Sequence, residues 1–319
     1  MNHNDVSDLR ATRDGFGESL CEIAKSNDNI IGLCADLTES TRMDAFAHQF
    51  PKRFFNVGIA EQHMVGMAVG LSLEGYVPFV ATYGVFLGRA WDQIRVSVCL
   101  GKANVKLVGS HAGVTVGADG ASAQALEDIA LFRVLPHMVI VCPCDVVEAK
   151  KATIALAEMV GPAYLRLSRE KTPVVTRKNT PFVLGRAETL KNGKDVSIIA
   201  CGTMVSSALD AALLLAKEQI DVGVVNMHTI SPIDKAAIID AAKHTHAIVV
   251  AEEHQALGGL GGAVAEVLAL HCPTPMEQVA VQHTFGESGT AEELLVQYKL
   301  TSHDIVRAVK RVLRRKTKE

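Results

Sequence analysis

The sequence predicts an α/β protein of two consecutive domains, each with a mostly parallel sheet covered by helices. Two observations predict this class. Short β-branched runs that are apolar on both faces alternate with longer segments that suit helices, as is typical of parallel strands buried beneath helices. The alternation also stops and restarts once along the 319 residues, and a chain of this length can bury two cores.

Seven runs are predicted as strands and five longer segments as helices. The runs cover residues 29–34, 76–81, 105–110, 138–142, 196–201, 222–227 and 247–251. The helical segments cover residues 14–25, 59–73, 86–100, 146–159 and 205–218. Apolar residues interrupt the basic tail between Lys310 and Lys318, which predicts the solvent-exposed face of a last helix.

The alternation of predicted strands and helices is interrupted at residues 170–195. This segment is rich in Pro, Lys, Asn and Thr and has no sustained apolar periodicity. Such a composition is typical of an inter-domain connection, here with one edge strand at most. The predicted division is a first domain over residues 1–172, a linker over 173–194 and a second domain over 195–319.

Composition argues against several classes of protein. The net charge of −3 and a pI near 6.5 provide no basic field for nucleic acid or an anionic membrane. Seven scattered cysteines do not form a disulfide framework. The polar first residues contain no apolar signal core, and no stretch reaches the roughly 20 apolar residues of a membrane span. We therefore expect a cytoplasmic protein without nucleic-acid or membrane partners.

Residues 54–95 are the most informative part of the chain. Glycines and alanines reduce side-chain bulk along one predicted helix, and Glu61 lies in its first turn. Acids favour helix N-termini, and the residues alone slightly favour that ordinary explanation. A pair of aromatics, Tyr83 and Phe86, follows a predicted strand, although core packing would also explain them.

This stretch resembles the transketolase family of thiamine diphosphate enzymes, through NVGIAEQHM, GLSLEG and ATYxxF. The resemblance extends over nearly the whole chain. It implies that Glu61 hydrogen-bonds a ring nitrogen of the cofactor's aminopyrimidine, where a shared proton favours the imino tautomer that deprotonates the thiazolium carbon. It also implies that Phe86 stacks on the aminopyrimidine and that Tyr83 closes the same pocket, because flat aromatic faces suit a flat heterocycle.

The resemblance further implies a phosphorylated sugar as the substrate. The residues that it places in contact with that substrate are Arg13, Ser40, His111, Asp119 and Arg169. Arg13, Ser40 and Arg169 would hold the phosphate, which suits guanidinium groups because they bind phosphate oxygens bidentately. His111 is grouped with Glu61 as a catalytic residue, and Asp36 is placed near the cofactor.

Two departures from the family's pattern matter. Ala123 stands where the family usually has a histidine that contacts the donor sugar. The Gly-Asp-Gly motif and its downstream Asn, which hold the divalent metal through oxygen ligands, are also missing. The resemblance therefore implies an N-terminal diphosphate-binding transketolase subunit as partner, which would hold thiamine diphosphate with Mg²⁺, Ca²⁺ or Mn²⁺ in an α2β2 heterotetramer.

The implied function is that of one subunit of a two-chain transketolase, which transfers a two-carbon ketol unit from a ketose phosphate to an aldose in pentose phosphate metabolism. The chain could instead be a deoxyxylulose-phosphate synthase-like or 2-oxoacid dehydrogenase β-like subunit. It could also be a non-catalytic partner with a decayed site. Arg13, Ser40 and Arg169 favour a phosphorylated sugar, whereas Ala123 favours the decayed site.

The second domain contains one further cluster of interest, where Glu252 and His254 precede glycines at 258–261. The glycines lack the G-x-G-x-x-G pattern, which disfavours a dinucleotide loop. We expect a structural or interface role for Glu252 and His254 rather than a catalytic one.

Overall fold

The computed structural model describes residues 9–316. Its strands are β1 (Leu9–Ala11), β2 (Ile30–Cys34), β3 (Phe54–Asn56), β4 (Val77–Tyr83), β5 (Lys106–Ser110), β6 (Val139–Val141), β7 (Ala163–Arg166), β8 (Lys171–Pro173), β9 (Glu188–Lys191), β10 (Val196–Ala200), β11 (Val222–Asn226), β12 (Thr229–Ser231), β13 (Ile248–Gln255) and β14 (Met276–Val281). Its α-helices are α1 (Thr12–Ser26), α2 (Asp44–Gln49), α3 (Glu61–Leu73), α4 (Gly84–Leu87), α5 (Trp91–Gln93), α6 (Asp128–Arg133), α7 (Val146–Glu158), α8 (Met204–Ala216), α9 (Lys235–Thr245), α10 (Leu260–His271), α11 (Ala291–Gln297) and α12 (Ser302–Arg315).

The predicted α/β class with two mostly parallel sheets is confirmed. The first sheet has the order β12-β6-β7-β5-β4-β2-β3 and the second has the order β14-β13-β10-β11-β9. Within them only β12 and β9, both at edges, run antiparallel to their neighbours. The central strands are buried along their whole length, because helices cover both faces.

Strand β12 belongs to the second half of the sequence but completes the first sheet. It pairs with β6, with Thr229 opposite Val141. One apolar cluster contains buried residues of both halves, among them Ile140 and Cys142 with Ile199 and Cys201. The two halves therefore share a sheet and a core, which the apolar patterns of the sequence did not predict.

The single helix predicted over residues 86–100 is wrong. The chain there forms α4, a 3₁₀ turn at Gly88–Ala90, α5 and a π-helical segment at Ile94–Leu100. Glycine is a poor helix former, and Gly84 and Gly88 lie where the segment begins and first breaks. The break leaves Phe86 and Arg89 beside the N-terminus of α3, where they form part of the candidate site described below.

The ends of the chain are only partly described. Residues 1–8, on which the absence of a signal segment was predicted, lie outside the described residues, as do the last residues of the predicted basic tail. Lys310 pairs with Glu218, and Arg311 with Glu277, along the exposed side of α12. All seven cysteines are free thiols. Within residues 9–316, no helix is both long and apolar enough to cross a bilayer.

Candidate active site

Glu61 is the first residue of α3, and its side chain is only 5% exposed. Its Oε1 accepts a hydrogen bond from Arg89 Nη1 at 2.9 Å. The Arg89 side chain is 56% exposed, so it can leave the carboxylate without losing a buried position. Among residues 9–316, Oε2 of Glu61 has no hydrogen-bond partner. The carboxylate can therefore accept a hydrogen bond from a ligand.

Aromatic rings lie one on another beside this carboxylate. The rings of Tyr83 and Phe86 stack with centroids 5.3 Å apart and planes at 8°, and Tyr83 also stacks on His111 at 3.8 Å. The Arg89 guanidinium lies over the Phe86 ring, 4.5 Å from its centroid. Phe86 and Tyr83 are half-buried. The sequence predicted both aromatics for one pocket, and the structure brings them together with His111.

His111 follows β5 directly, with a left-handed φ of 56°. Its Nε2 lies 3.2 Å from Arg13 Nη1 and its Nδ1 lies 2.9 Å from Ser110 Oγ. Because a guanidinium only donates, Nε2 must accept, and the proton of the neutral ring belongs on Nδ1. Burial, together with the positive charges of Arg13, Arg169 and Arg42, lowers the pKa of His111 to about 3.

We expect His111 to stay neutral at every pH between 5 and 8. Long-range ¹H–¹⁵N NMR of the imidazole should show one protonated nitrogen throughout, assigned to Nδ1. Arg13→Met should raise the pKa of His111, because it removes one of the positive charges that lower it. Protonation of both ring nitrogens of wild-type His111 above pH 5 would contradict the hydrogen-bond assignment.

Two arginines from different elements place positive charge near His111. Arg13, in α1, donates to the backbone carbonyl of Ser40 at 2.9 Å, so the hydroxyl of Ser40 is not its partner here. Burial, followed by the charge of Arg42, lowers the pKa of Arg13. Arg169 donates to the carbonyl of Val116 and lies 3.6 Å from a carboxylate oxygen of Asp119. This positive region is a suitable place for an anion.

Asp36 is exposed and lies at the carboxyl end of β2. Its φ of 57° is left-handed, and Asn56 accepts a hydrogen bond from its backbone N–H at 3.0 Å. In the described part of the chain, no hydrogen bond or ion pair joins Asp36 to the other predicted site residues. Its predicted place near the cofactor remains a prediction.

Ala123 is buried, with 7% of its surface exposed. The neighbouring Gln124 donates through Nε2 to the carbonyls of Val114 and Glu287. The position that the family usually gives to a histidine is therefore enclosed by protein. A larger side chain at position 123 would have to displace some of the surrounding protein atoms.

Glu252 and His254 are both completely buried in the second domain. The carboxylate of Glu252 accepts from the backbone N–H groups of Leu260 and Gly261, at 2.7 Å each. It thereby caps the N-terminus of α10, where an acid stabilises the free N–H groups. His254 Nε2 accepts from the N–H of Ala130 at 3.3 Å. These contacts are structural ones.

Sequence reasoning left Arg89 out of the site and assigned no partner role to Asn56 or Ser110. Arg89 pairs with Glu61, Asn56 holds Asp36, and Ser110 orients His111. Asn56 begins the NVGIAEQHM motif and Arg89 follows ATYxxF by three residues, but only the folded chain shows their partners. Ser110 ends a buried strand directly before His111, where α/β folds place ligand groups, so the sequence alone already indicates its position.

Two family descriptions match the chain. Residues 9–175 match "Transketolase, pyrimidine binding domain" and residues 185–305 match "Transketolase, C-terminal domain". The chain therefore belongs to the transketolase family. That family implies thiamine diphosphate with a divalent metal as cofactors.

Similar proteins are split in the same way. A protein of Methanocaldococcus jannaschii named putative transketolase C-terminal section is 41% identical over 304 residues, which cover 94% of this chain and 95% of that protein. The 6-deoxy-6-sulfo-D-fructose transketolase subunit SqwH of Clostridium sp. is 38% identical over 305 residues, 95% of each chain. A solved split-gene transketolase, an inactive β4 tetramer, is 46% identical with a TM-score of 0.91 and covers 96% of this chain and 99% of its own. The chain is thus a transketolase-family split subunit.

Proposed function

We propose that this chain is the pyrimidine-binding subunit of a two-chain transketolase, which transfers a two-carbon ketol unit from a ketose phosphate to an aldose. The observation that carries the proposal is the buried carboxylate of Glu61 beside the half-buried ring of Phe86. An acid and a flat aromatic face together suit an aminopyrimidine, which needs one hydrogen-bond partner and one stacking surface. The residues present therefore fit the pyrimidine part of thiamine diphosphate.

Each residue of the pocket has a task of its own. Glu61 holds or shares a proton with a ring nitrogen through its free oxygen. Phe86 supplies the stacking surface, and Tyr83 excludes water from the side that faces His111. When bound, thiamine diphosphate supplies the carbon nucleophile and the electron sink.

The substrate side of the proposal rests on positive charge. Arg13 and Arg169 both act electrostatically on His111, so their guanidinium groups lie near one ring. A tetrahedral anion between them would receive several charge-assisted hydrogen bonds. His111 stays neutral, and its Nε2 could accept a hydrogen bond from a sugar hydroxyl once Arg13 turns to the anion.

A sulfonated sugar is a second candidate for the donor. A relative 38% identical over 305 residues is named as a 6-deoxy-6-sulfo-D-fructose transketolase subunit, and a sulfonate is a tetrahedral anion that arginine binds as it binds a phosphate. Ala123 supports an altered donor contact, because the histidine usual in the family is missing there. Both candidates share the same ketol transfer.

We also propose an N-terminal, diphosphate-binding partner chain and an α2β2 assembly. The name of the Methanocaldococcus jannaschii relative, a C-terminal section of transketolase, supports such a partner. The partner would carry the Gly-Asp-Gly motif and hold Mg²⁺, Ca²⁺ or Mn²⁺. Within residues 9–316, no group of three or more His, Cys, Asp or Glu side chains could hold a metal ion.

Reconstitution tests the proposal. The chain, mixed with a partner that contains Gly-Asp-Gly and a downstream Asn, thiamine diphosphate and Mg²⁺, should transfer a ketol unit from a ketose phosphate, a 6-deoxy-6-sulfo ketose or both. Each chain alone should be inactive, because each would hold only half of the cofactor. A complex that binds the cofactor but transfers no ketol unit from either kind of donor would contradict the catalytic proposal and favour a non-catalytic partner subunit.

The choice of donor also separates the enzymatic alternatives. A 2-oxoacid as the only donor would instead indicate a deoxyxylulose-phosphate synthase-like or 2-oxoacid dehydrogenase β-like subunit. Activity with the sulfo ketose alone would keep the ketol transfer but correct the anion from phosphate to sulfonate.

A further inference from the structure

Glu253 is a buried carboxylate of the second domain that reaches into the first. It lies on β13, and its side chain is 3% exposed. Its Oε1 accepts from the backbone N–H of Thr115 at 2.7 Å, and its Oε2 accepts from the hydroxyl of Thr203 at 2.8 Å. One carboxylate therefore joins the loop at residues 111–119 of the first domain, of which Val114–Asp119 are 3₁₀-helical, to the start of α8 in the second.

The loop is shaped around this carboxylate. Gly113 has a left-handed φ of 96°, and a Cβ built there would lie 2.2 Å from Glu253 Oε1. Such a contact is impossible without movement, so only glycine permits both the backbone conformation and the approach of Glu253. The sequence of the loop and the position of the carboxylate thus depend on each other.

The segment held in this way carries two of the five proposed substrate contacts, His111 and Asp119, and touches a third, Arg169. Thr115 lies midway between His111 and Asp119. Arg169 donates to the carbonyl of Val116, the residue after Thr115, and pairs with Asp119. A shift of Thr115 would therefore move the groups that are proposed to meet the sugar and its anion.

The first domain in turn holds the backbone of Glu253, and the second domain also holds the far side of the loop. Arg166, on β7, donates to the backbone carbonyl of Glu253 at 2.9 Å. Gln124 joins the carbonyl of Val114 to that of Glu287. The carboxylate is thus anchored on both sides, and it has little freedom to follow a moving loop.

We propose that Glu253 is a positioning residue for the substrate, which holds residues 111–119 in the conformation that binds the sugar. The second domain then takes part in substrate binding through this one carboxylate. The inference rests on the function proposed above, because it assigns the loop to that substrate. Glu253 acts through Thr115 and is not a catalytic residue.

The surroundings of Glu253 act on its charge in opposite directions. Burial raises the pKa of Glu253 above its usual value, and the hydrogen bond from Thr115 and the charge of Arg166 offset this only in part. Thr115 N–H and the Thr203 hydroxyl are both donors toward it, and an ionised carboxylate can accept from both. A glutamine could keep the geometry if its Oε1 accepts from Thr115 and its Nε2 donates to the Thr203 oxygen.

Three variants test the proposal in the reconstituted complex. Glu253→Ala should raise KM for the donor sugar about ten- to a hundred-fold, since a lost hydrogen bond to a buried charge shifts an equilibrium by such factors. The affinity for thiamine diphosphate should stay unchanged. Glu253→Gln should have a KM for the donor sugar close to that of the wild type. Thr203→Val removes the other hydrogen bond of the same carboxylate and should leave KM within about twofold of the wild type, because Thr115 stays bound.

Hydrogen exchange gives a readout that does not depend on activity. In Glu253→Ala, the amides of a peptide covering residues 112–119 should exchange at least about tenfold faster, and in Thr203→Val they should not. Unchanged exchange and KM in Glu253→Ala, or an equal rise of KM in Thr203→Val, would overturn the proposal. If the alanine variant does not fold, Glu253→Asp replaces it, because the shorter carboxylate cannot reach both donors.

The same experiments separate this inference from the proposed function. A wild-type complex without ketol transfer would refute the function, and exchange would still show whether Glu253 holds the loop. If the wild-type complex is active but neither the KM nor the amide exchange changes in Glu253→Ala, only the positioning role is refuted.

Discussion

Replacement of Glu61 by glutamine is expected to reduce ketol transfer by the two-chain complex by about 100- to 10,000-fold, the usual contribution of a positioned acid or base. The glutamine has the same shape and can still accept from Arg89, so folding and assembly should be preserved. What it loses is the ability to share a proton with the ring nitrogen of the bound pyrimidine. Steady-state rates, with thiamine diphosphate affinity measured in parallel, check this expectation.

Glu74→Gln is the matched control, because Glu74 is an exposed acid at the opposite end of the same helix, α3. It should leave the rate within a factor of about two, as surface changes usually do. Glu61→Ala should be as slow as Glu61→Gln. A Glu61→Gln complex that retains the wild-type rate would show that this carboxylate does not manage the proton and that the mechanism is wrong.

Removal of the Asp128 carboxylate should destabilise the chain by about 3–5 kcal/mol, as expected when a buried ion pair loses one partner. Asp128 Oδ2 accepts from Arg166 Nε at 2.8 Å and from the hydroxyl of Tyr164 at 2.6 Å. The side chains of Asp128 and Arg166 are 2% and 6% exposed, so Asp128→Ala leaves a guanidinium charge in the core. Urea unfolding measures the change in free energy of unfolding.

Glu218→Ala provides the control for an exposed pair. Glu218 pairs with Lys310, and these side chains are 49% and 40% exposed. Glu218→Ala should therefore lower the free energy of unfolding by less than about 1 kcal/mol. Equal decreases in the free energy of unfolding of Asp128→Ala and Glu218→Ala would show that burial does not make the Asp128–Arg166 pair more stabilising than an exposed pair.

The Asp128–Arg166 pair should also make the free energy of unfolding depend on pH. Burial alone would raise the pKa of Asp128, but Arg166 lowers it below the usual 3.8. The folded state thus binds this proton less tightly than the unfolded state, so the stabilisation is present above about pH 4 and is lost as the pH falls further. In Asp128→Ala this component of acid unfolding should be missing.

The sequence predicted the strands best where burial is complete. Runs such as 196–201 and 222–227 are apolar throughout because helices cover both faces of their sheet, and β10 and β11 begin at the predicted residues. The broken helix at 84–100 was missed because an apolar run with two glycines fits one helix or several. The pairing of β12 with β6 depends on a contact between distant residues, which no local pattern encodes.

In the candidate site, too, the sequence predicted some residues and not others. Glu61, Tyr83, Phe86 and His111 were found through motifs, and the structure brings the three rings together beside the carboxylate. Arg89, which pairs with Glu61, was not found, because its place beside the carboxylate depends on how separate elements meet. Glu253 is 138 residues from Thr115, and neither residue belongs to a pattern that indicates the other.

Strand β12 limits how this protein can be dissected. A fragment that ends at the linker would lose β12 and leave β6 as the open edge of the first sheet. Bare edges of this kind invite pairing with other chains, and the second fragment would carry an unpaired strand of its own. Although two family descriptions divide the chain, the first sheet takes a strand from the second part, and any engineering that exchanges one part between relatives should carry residues 229–231 with the first.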